Sequence, residues 1–275
     1  MFADTHCHLD FDAFDADRAE VILRAKQAGV GFLINPGVDL PSAGAVLKLT
    51  EEFRLYVYAA VGVHPNYTAE CESGIIPSLE ELAAAQGVVA IGEIGLDYYR
   101  DYSPPAQQRR CFLWQLELAA RMQLPVIIHD RDASQDLVPI LRDWQAALPT
   151  SNPIKQRPGV MHAYSGSLEH ALTLSELGFC FGIGGPVTYQ NAKARRELVS
   201  QLPVRNIVLE TDAPFLTPHP HRGKRNEPAY IPLIAEKIAA LHELSPLELG
   251  EISTANAVRL FNLHGKPGFL IEQAA

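Results

Sequence analysis

The chain has 275 residues, 47% of them hydrophobic and 20% charged, enough for a large core and too apolar for global disorder. Lys plus Arg number 23 against 32 Asp plus Glu, and the net charge of −9 excludes a protein that coats nucleic acid through bulk positive charge. Any contact with nucleic acid must then be local, or assisted by bound cations.

Short apolar runs alternate with helical patterns along the whole chain. The opening run, 2–8, ends in Asp4-Thr5-His6-Cys7-His8. On an extended strand, residues two apart share a face, so His6 and His8 point into one space and Cys7 the other way. A helix over 17–28 carries Val21, Ile22, Leu23 and Ala25 on its apolar side, with Gly29 closing it. A strand at 32–34, a helix at 42–53 and a strand at 55–63 follow. Residues 71–77 read as loop, with Ser78 as the N-cap of the next helix. A buried strand over 88–93 precedes a long helix over 105–122, whose Pro105 is tolerated in the first turn.

The rhythm continues with a strand at 125–128, a helix at 134–147 and a polar surface connection at 150–158. Strands at 159–161, 179–183 and 207–209 then alternate with helices at 168–177 and 192–202, and helices at 230–241 and 246–261 close the pattern. Eight strands alternating with helices predict an α/β fold, a (β/α)8 TIM barrel with an additional C-terminal helix, as one domain over 1–275. The alternative, a doubly wound open sheet, has no Gly-x-Gly-x-x-Gly after the first strand to support it.

Cys7, Cys71, Cys111 and Cys180 stand far apart with no Cys-x-x-Cys pair, which argues against a zinc ribbon and against a disulfide framework. They read as buried packing residues. No basic segment leads into an apolar run at the start, and apolar stretches such as 55–63 are too short to cross a bilayer. A cytoplasmic protein with no membrane contact and no obligate protein partner is expected.

In such a barrel, chemistry sits at the C-terminal ends of the strands. The residues that end the apolar runs are His6 and His8, Asn35, His64, Glu93, His129, His162, the glycines Gly182, Gly184 and Gly185, and Asp212. Imidazole tolerates strand–loop junctions, so any one of these positions is ordinary. Their recurrence on strand after strand points to metal. His6, His8, Glu93, His129, His162 and Asp212 are too many ligands for one tetrahedral ion. They suit two divalent ions sharing a carboxylate, with Glu93 as the bridge. The nitrogen-rich set favours Zn, Mn or another transition ion, and Mg stays open through the carboxylates and water.

Thr5-His6-Cys7-His8, Gly62-Val63-His64-Pro65, Gly92-Glu93-Ile94-Gly95-Leu96-Asp97, His129-Asp130-Arg131-Asp132-Ala133, His162-Ala163-Tyr164-Ser165-Gly166 and Glu210-Thr211-Asp212-Ala213-Pro214 together resemble the TatD-type metal-dependent deoxyribonucleases of the amidohydrolase-like hydrolases. The late run Arg222-Gly223-Lys224-Arg225-Asn226-Glu227-Pro228 fits as well. The resemblance runs from Asp4 to at least Asn256. It implies a divalent-metal-dependent phosphodiesterase on DNA, single-stranded or at 3′ ends, often a 3′–5′ exonuclease. By position, His6, His8, Glu93 and Asp212 would hold one ion, and Glu93, His129 and His162 the other. Asp130, where a small hydroxyl residue is more familiar, and Ala163-Tyr164, in place of Cys-Phe, depart from the pattern without touching a ligand. No lysine stands in the fourth strand, where many wider relatives carry a carbamylated one.

For phosphodiester hydrolysis, Asp212 could accept a proton from water and return it to the leaving oxygen. His64 would hydrogen-bond a phosphate oxygen or a terminal hydroxyl. Arg131, Arg222, Lys224 and Arg225 are candidates to pair with phosphates, and Tyr98, Tyr99 and Tyr102 to stack on bases. The main alternative is an amide or ester hydrolase, such as a deacylase of aminoacylated nucleic acid, on the same two ions.

Overall fold

The computed structural model describes residues 1–264 apart from Glu70 and Asp101, so the end of the expected domain, 265–275, lies outside the described residues. Eight strands lie side by side in chain order, each parallel to the next: β1 (Phe2–Asp4), β2 (Val30–Pro36), β3 (Val57–Val61), β4 (Val88–Asp97), β5 (Val126–Arg131), β6 (Gly159–Met161), β7 (Cys180–Ile183) and β8 (Ile207–Leu209). Between them run α1 (Arg18–Gln27), α2 (Leu40–Glu52), α3 (Ile75–Ala83), α4 (Pro105–Met122), α5 (Ser134–Ala147), α6 (Leu168–Glu176) and α7 (Lys193–Gln201). After β8 come α8 (Ile231–Leu241) and α9 (Pro246–Leu260). This is the expected (β/α)8 barrel, with α9 as the additional C-terminal helix. Among the described residues no helix is long and apolar enough to cross a membrane.

The ring closes where the chemistry sits. Beyond the ends of β1 and β8, Thr5 N–H donates to Leu209 O (2.9 Å), Asp212 N–H to His6 O (2.8 Å) and His8 N–H to Ala213 O (2.7 Å). Asp4 fastens the same seam: it is buried and accepts from Thr211 N–H at 2.9 Å and from Thr211 Oγ1 at 2.5 Å. β1 therefore ends earlier than the run 2–8, but the chain stays extended, with Cys7 bridging Ala213 in parallel.

Two apolar layers hold the barrel. One fills the space between strands and helices. The other lies inside, where Phe32, Ile34, Ile127, Val160 and Val208 meet Leu260, Phe261 and Leu263 at the end of α9. That helix end plugs the barrel from below. With a period of two, the inward face of β5 passes from Ile127 to His129, that of β6 from Val160 to His162, and that of β8 from Val208 to Glu210 and Asp212. The polar cluster thus stands on an apolar floor, where unpaired charge is costly.

Two local readings are corrected. α3 begins at Ile75, not at Ser78, because Pro77 falls in its first turn, where a missing N–H has no partner to lose. Ile75 and Ile76 pack against the core instead of lying in a loop. The expectation against disulfides also fails, since Cys71 pairs with Cys111 across 40 residues, their Cα atoms 6.2 Å apart. Spacing along the chain did not reveal that the turn closed by Cys71 N–H to Thr68 O folds back onto α4. Cys7 and Cys180 are buried free thiols, as expected.

Candidate metal centre

Glu93 is the hub. A register shift in β4 between Ile91 and Ile94 turns its carboxylate inward, and its backbone N–H donates to Gly37 O at 3.1 Å. Oε2 lies 3.3 Å from His6 Nε2 and 3.8 Å from His8 Nε2. Oε1 lies 2.9 Å from His129 Nδ1, 3.6 Å from His64 Nε2 and 3.9 Å from His162 Nε2. Asp212 Oδ1 faces His6, His8 and His162 from the other side at 3.8, 3.6 and 3.7 Å. The six residues expected as ligands therefore converge on one space.

Among the described residues, three trios of donor atoms lie within 4.8 Å of one another: His6–His8–Glu93, His6–His162–Asp212 and His64–Glu93–His129. The expected grouping of Glu93, His129 and His162 differs from this, because His162 stacks on His6 with ring centroids 3.5 Å apart and stands 6.4 Å from His129. His64 joins Glu93 and His129 in the third trio instead. Its Nδ1 accepts the backbone N–H of Asn66 at 3.1 Å, however, so the neutral ring carries its proton on Nε2. His64 thus offers the centre a hydrogen-bond donor and not a lone pair, in keeping with a contact to a substrate oxygen.

The donor chemistry fits a divalent cation. His6 and His8 bring their Nε2 atoms within 3.1 Å of each other, while neither Nδ1 has a hydrogen-bond partner among the described residues. Two ring nitrogens crowded together beside two carboxylates need positive charge between them. Carboxylates behind the ligands complete the pattern. Asp97 Oδ2 lies 3.2 Å from His129 Nε2, and Glu210 Oε1 lies 3.2 Å from His162 Nδ1 while accepting Ala163 N–H at 2.6 Å. A Cβ at Gly182 would fall 2.0 Å from Glu210 Oε2, so only glycine leaves room for that carboxylate.

The protonation pattern shows the same demand for positive charge. Burial lowers the His129 and His162 pKa values, but Asp97 and Glu93 outweigh it at His129, which rises to about 9. Glu210, with Asp212 and Glu93, outweighs it at His162, which rises to about 10. Burial pushes Glu93 up, yet the imidazoles of His64, His6 and His129 hold it well below the usual carboxylate range. Burial drives His6 well down and His64 down to about 3. Without metal, protons thus sit on His129 and His162 at neutral pH, and a cation must displace them. Metal affinity is expected to rise with pH between 6 and 9, by about tenfold per unit for each proton displaced. Calorimetry in buffers of different ionisation enthalpy should show proton release on Zn or Mn binding. No buffer dependence would contradict this account.

The expected substrate contacts divide. Arg131 stands exposed at the end of β5 with its guanidinium 3.8 Å from the Tyr99 ring centroid. Arg222 lies over Tyr189 at 4.4 Å, and Lys224 is exposed. Arg225 is held elsewhere, paired with Asp17 at 2.7 and 2.8 Å, bonded to Ala13 O and packed over Phe14. Tyr98 turns its hydroxyl to Asp136 at 2.8 Å, so Tyr99 and Tyr102 are the exposed rings. Arg225→Ala is expected to cost about 1 kcal/mol of stability in urea unfolding while leaving KM unchanged. A raised KM with unchanged stability would return Arg225 to the substrate.

A family model described as TatD related DNase matches residues 3–262. The chain is 42% identical over 264 residues to an uncharacterized metal-dependent hydrolase, YabD, of Bacillus subtilis, covering 96% of this chain and 100% of that protein. It is 36% identical to a 3′-5′ ssDNA/RNA exonuclease, TatD, of Yersinia pseudotuberculosis, covering 91% and 95% of the two chains. The crystal structure of YJJV, a TatD homolog from Escherichia coli K12, superposes with a TM-score of 0.86 at 35% identity, covering 95% of this chain and 98% of that one.

Proposed function

The chain belongs to the TatD-related DNase family of metal-dependent hydrolases, and on that premise we propose that it hydrolyses phosphodiester bonds in single-stranded DNA from the 3′ end, on a site for two divalent ions. The observation that carries this reading is the rim around Glu93 and Asp212. Tyr67, Tyr99 and Tyr102 stand more than half exposed in the loops after β3 and β4, and Phe215 does so after β8. Exposed rings around a charged mouth suit unstacked bases, each stack being worth about 1–3 kcal/mol. Arg131 and Lys224 supply local positive charge in an acidic protein.

Glu93, His6, His8 and Asp212 would hold one ion, and Glu93 with His129 the other, with His162 between Glu93 and Asp212. Bound there, a divalent cation supplies Lewis acidity, offsetting phosphoryl charge and bringing the pKa of water from 15.7 towards about 7. The protein's own groups do the rest. His64 Nε2–H donates to a non-bridging oxygen or to the terminal hydroxyl. Asp212 accepts the proton of the attacking water and returns it to the leaving oxygen. Arg131 and the tyrosines fix the neighbouring nucleotide, which orients the scissile bond.

The test compares turnover of 3′-labelled single strands, 5′-labelled single strands, duplexes and an acyl panel, each with and without chelator. Release of 3′ mononucleotides from single strands, lost with chelator, is expected. Acyl turnover without nuclease activity would favour the amide or ester reading, and digestion insensitive to chelator would point to a contaminant.

A further inference from the structure

We infer that Asp97 is a positioning residue that joins the metal-facing nitrogen of His129 to the aromatic rim outside the barrel. The inference rests on reading the cluster as a metal centre and the rim as a contact for nucleic acid.

Asp97 closes β4, four residues beyond Glu93, and is 1% exposed. Its two carboxylate oxygens serve different partners. Oδ2 lies 3.2 Å from His129 Nε2, whereas Oδ1 accepts the backbone N–H groups of Tyr99 at 3.0 Å and Arg100 at 2.9 Å. An ionised carboxylate can only accept. The His129 ring thus meets a carboxylate at each nitrogen, Asp97 at Nε2 and Glu93 Oε1 2.9 Å from Nδ1; a cation held by Glu93 would displace the Nδ1 proton, and the one that remains, on Nε2, is the one Asp97 accepts. The same group folds the chain after β4 into the turn that puts Tyr99 outside, where Arg131 covers its ring.

The surroundings leave Asp97 little freedom. Its own N–H and C=O are both taken by Gln108 of α4, at 2.8 and 2.9 Å, and the Gln108 amide also donates to Ser103 O at 2.9 Å. Two residues earlier, Gly95 has φ +146°, and a Cβ there would fall 2.0 Å from His129 O. That close approach of β4 to β5 is what brings Asp97 to the outer edge of the His129 ring. One carboxylate thus sets a proton inside the barrel and a turn outside it.

Asparagine can do one of these jobs but not both. If its oxygen caps Tyr99 and Arg100, its NH2 faces His129 Nε2 and forces the proton to Nδ1. If its oxygen faces His129, its NH2 meets two backbone donors. For Asp97→Asn, Mn affinity by calorimetry is expected to fall about 10–100-fold. KM for a single-stranded oligonucleotide, measured at saturating Mn, should rise as well. Tyr99→Ala should raise that KM while leaving Mn affinity unchanged. In the wild type, where no substitution threatens folding, Zn loading should slow hydrogen exchange at the Tyr99 and Arg100 amides.

Unchanged Mn affinity in Asp97→Asn would overturn the proposal while leaving the metal centre in place. Weakened Mn binding with unchanged KM, or exchange at Tyr99 and Arg100 indifferent to Zn, would overturn the coupling. A wild type that binds no Mn would remove the metal reading, and this proposal with it.

Discussion

Glu93→Gln is expected to lower turnover by at least about 1,000-fold and to leave the purified protein largely free of metal. The side chain is 4% exposed, and its two oxygens face five imidazoles between 2.9 and 3.9 Å away. Glutamine keeps the shape but removes the charge, and it turns one oxygen into a pair of donors beside the imidazoles, whose nitrogens, His64 Nε2 apart, should carry lone pairs. Both proposed ions lose their shared ligand. Electrophilic stabilisation by metal is worth several kcal/mol, and about 4 kcal/mol corresponds to about 1,000-fold in rate. Elemental analysis with turnover measured at added metal checks the result, and circular dichroism confirms the fold. Wild-type metal content with activity within tenfold would show that Glu93 is not the hub.

The six candidate ligands are legible in the sequence because each stands where an apolar run stops. On β5 and β6 the period of two carries the inner face from a buried aliphatic residue straight to His129 and His162, and beyond β8 it runs through Glu210 to Asp212. Glu210 was missed, although the same period places it inward, two residues before Asp212. Asp4 was missed as well. Its work is to lock Thr211 across the seam between the first and last strands, a pairing of residues separated by 207 positions. No local pattern reports that distance. The rim is less legible than the cluster because loop residues have no periodicity. Arg225 and Tyr98 lie close in sequence to the right strands, yet their partners are Asp17 and Asp136, found only once the chain has folded. The Cys71–Cys111 bridge was hidden for the same reason.

Asp212→Asn separates two roles that Glu93→Gln cannot. The Asp212 side chain is 15% exposed, more open than Glu93, and its contacts with His6, His8 and His162 all run to Oδ1. An asparagine oxygen in that place still coordinates, so metal should be retained better than in Glu93→Gln. What an amide cannot do is take a proton from water or hand it to the leaving oxygen. Loss of a positioned proton acceptor costs about 100- to 10,000-fold in kcat, and the loss should fall on kcat with KM within a few-fold of wild type. The comparison is to be made at metal concentrations that saturate the variant, with metal content measured on the same samples. If saturating metal restores kcat, Asp212 is a ligand and nothing more, and the proton must leave by another route. If kcat stays low on a fully loaded protein, Asp212 carries the proton transfer, while the buried carboxylate of Glu93 keeps the charge in place.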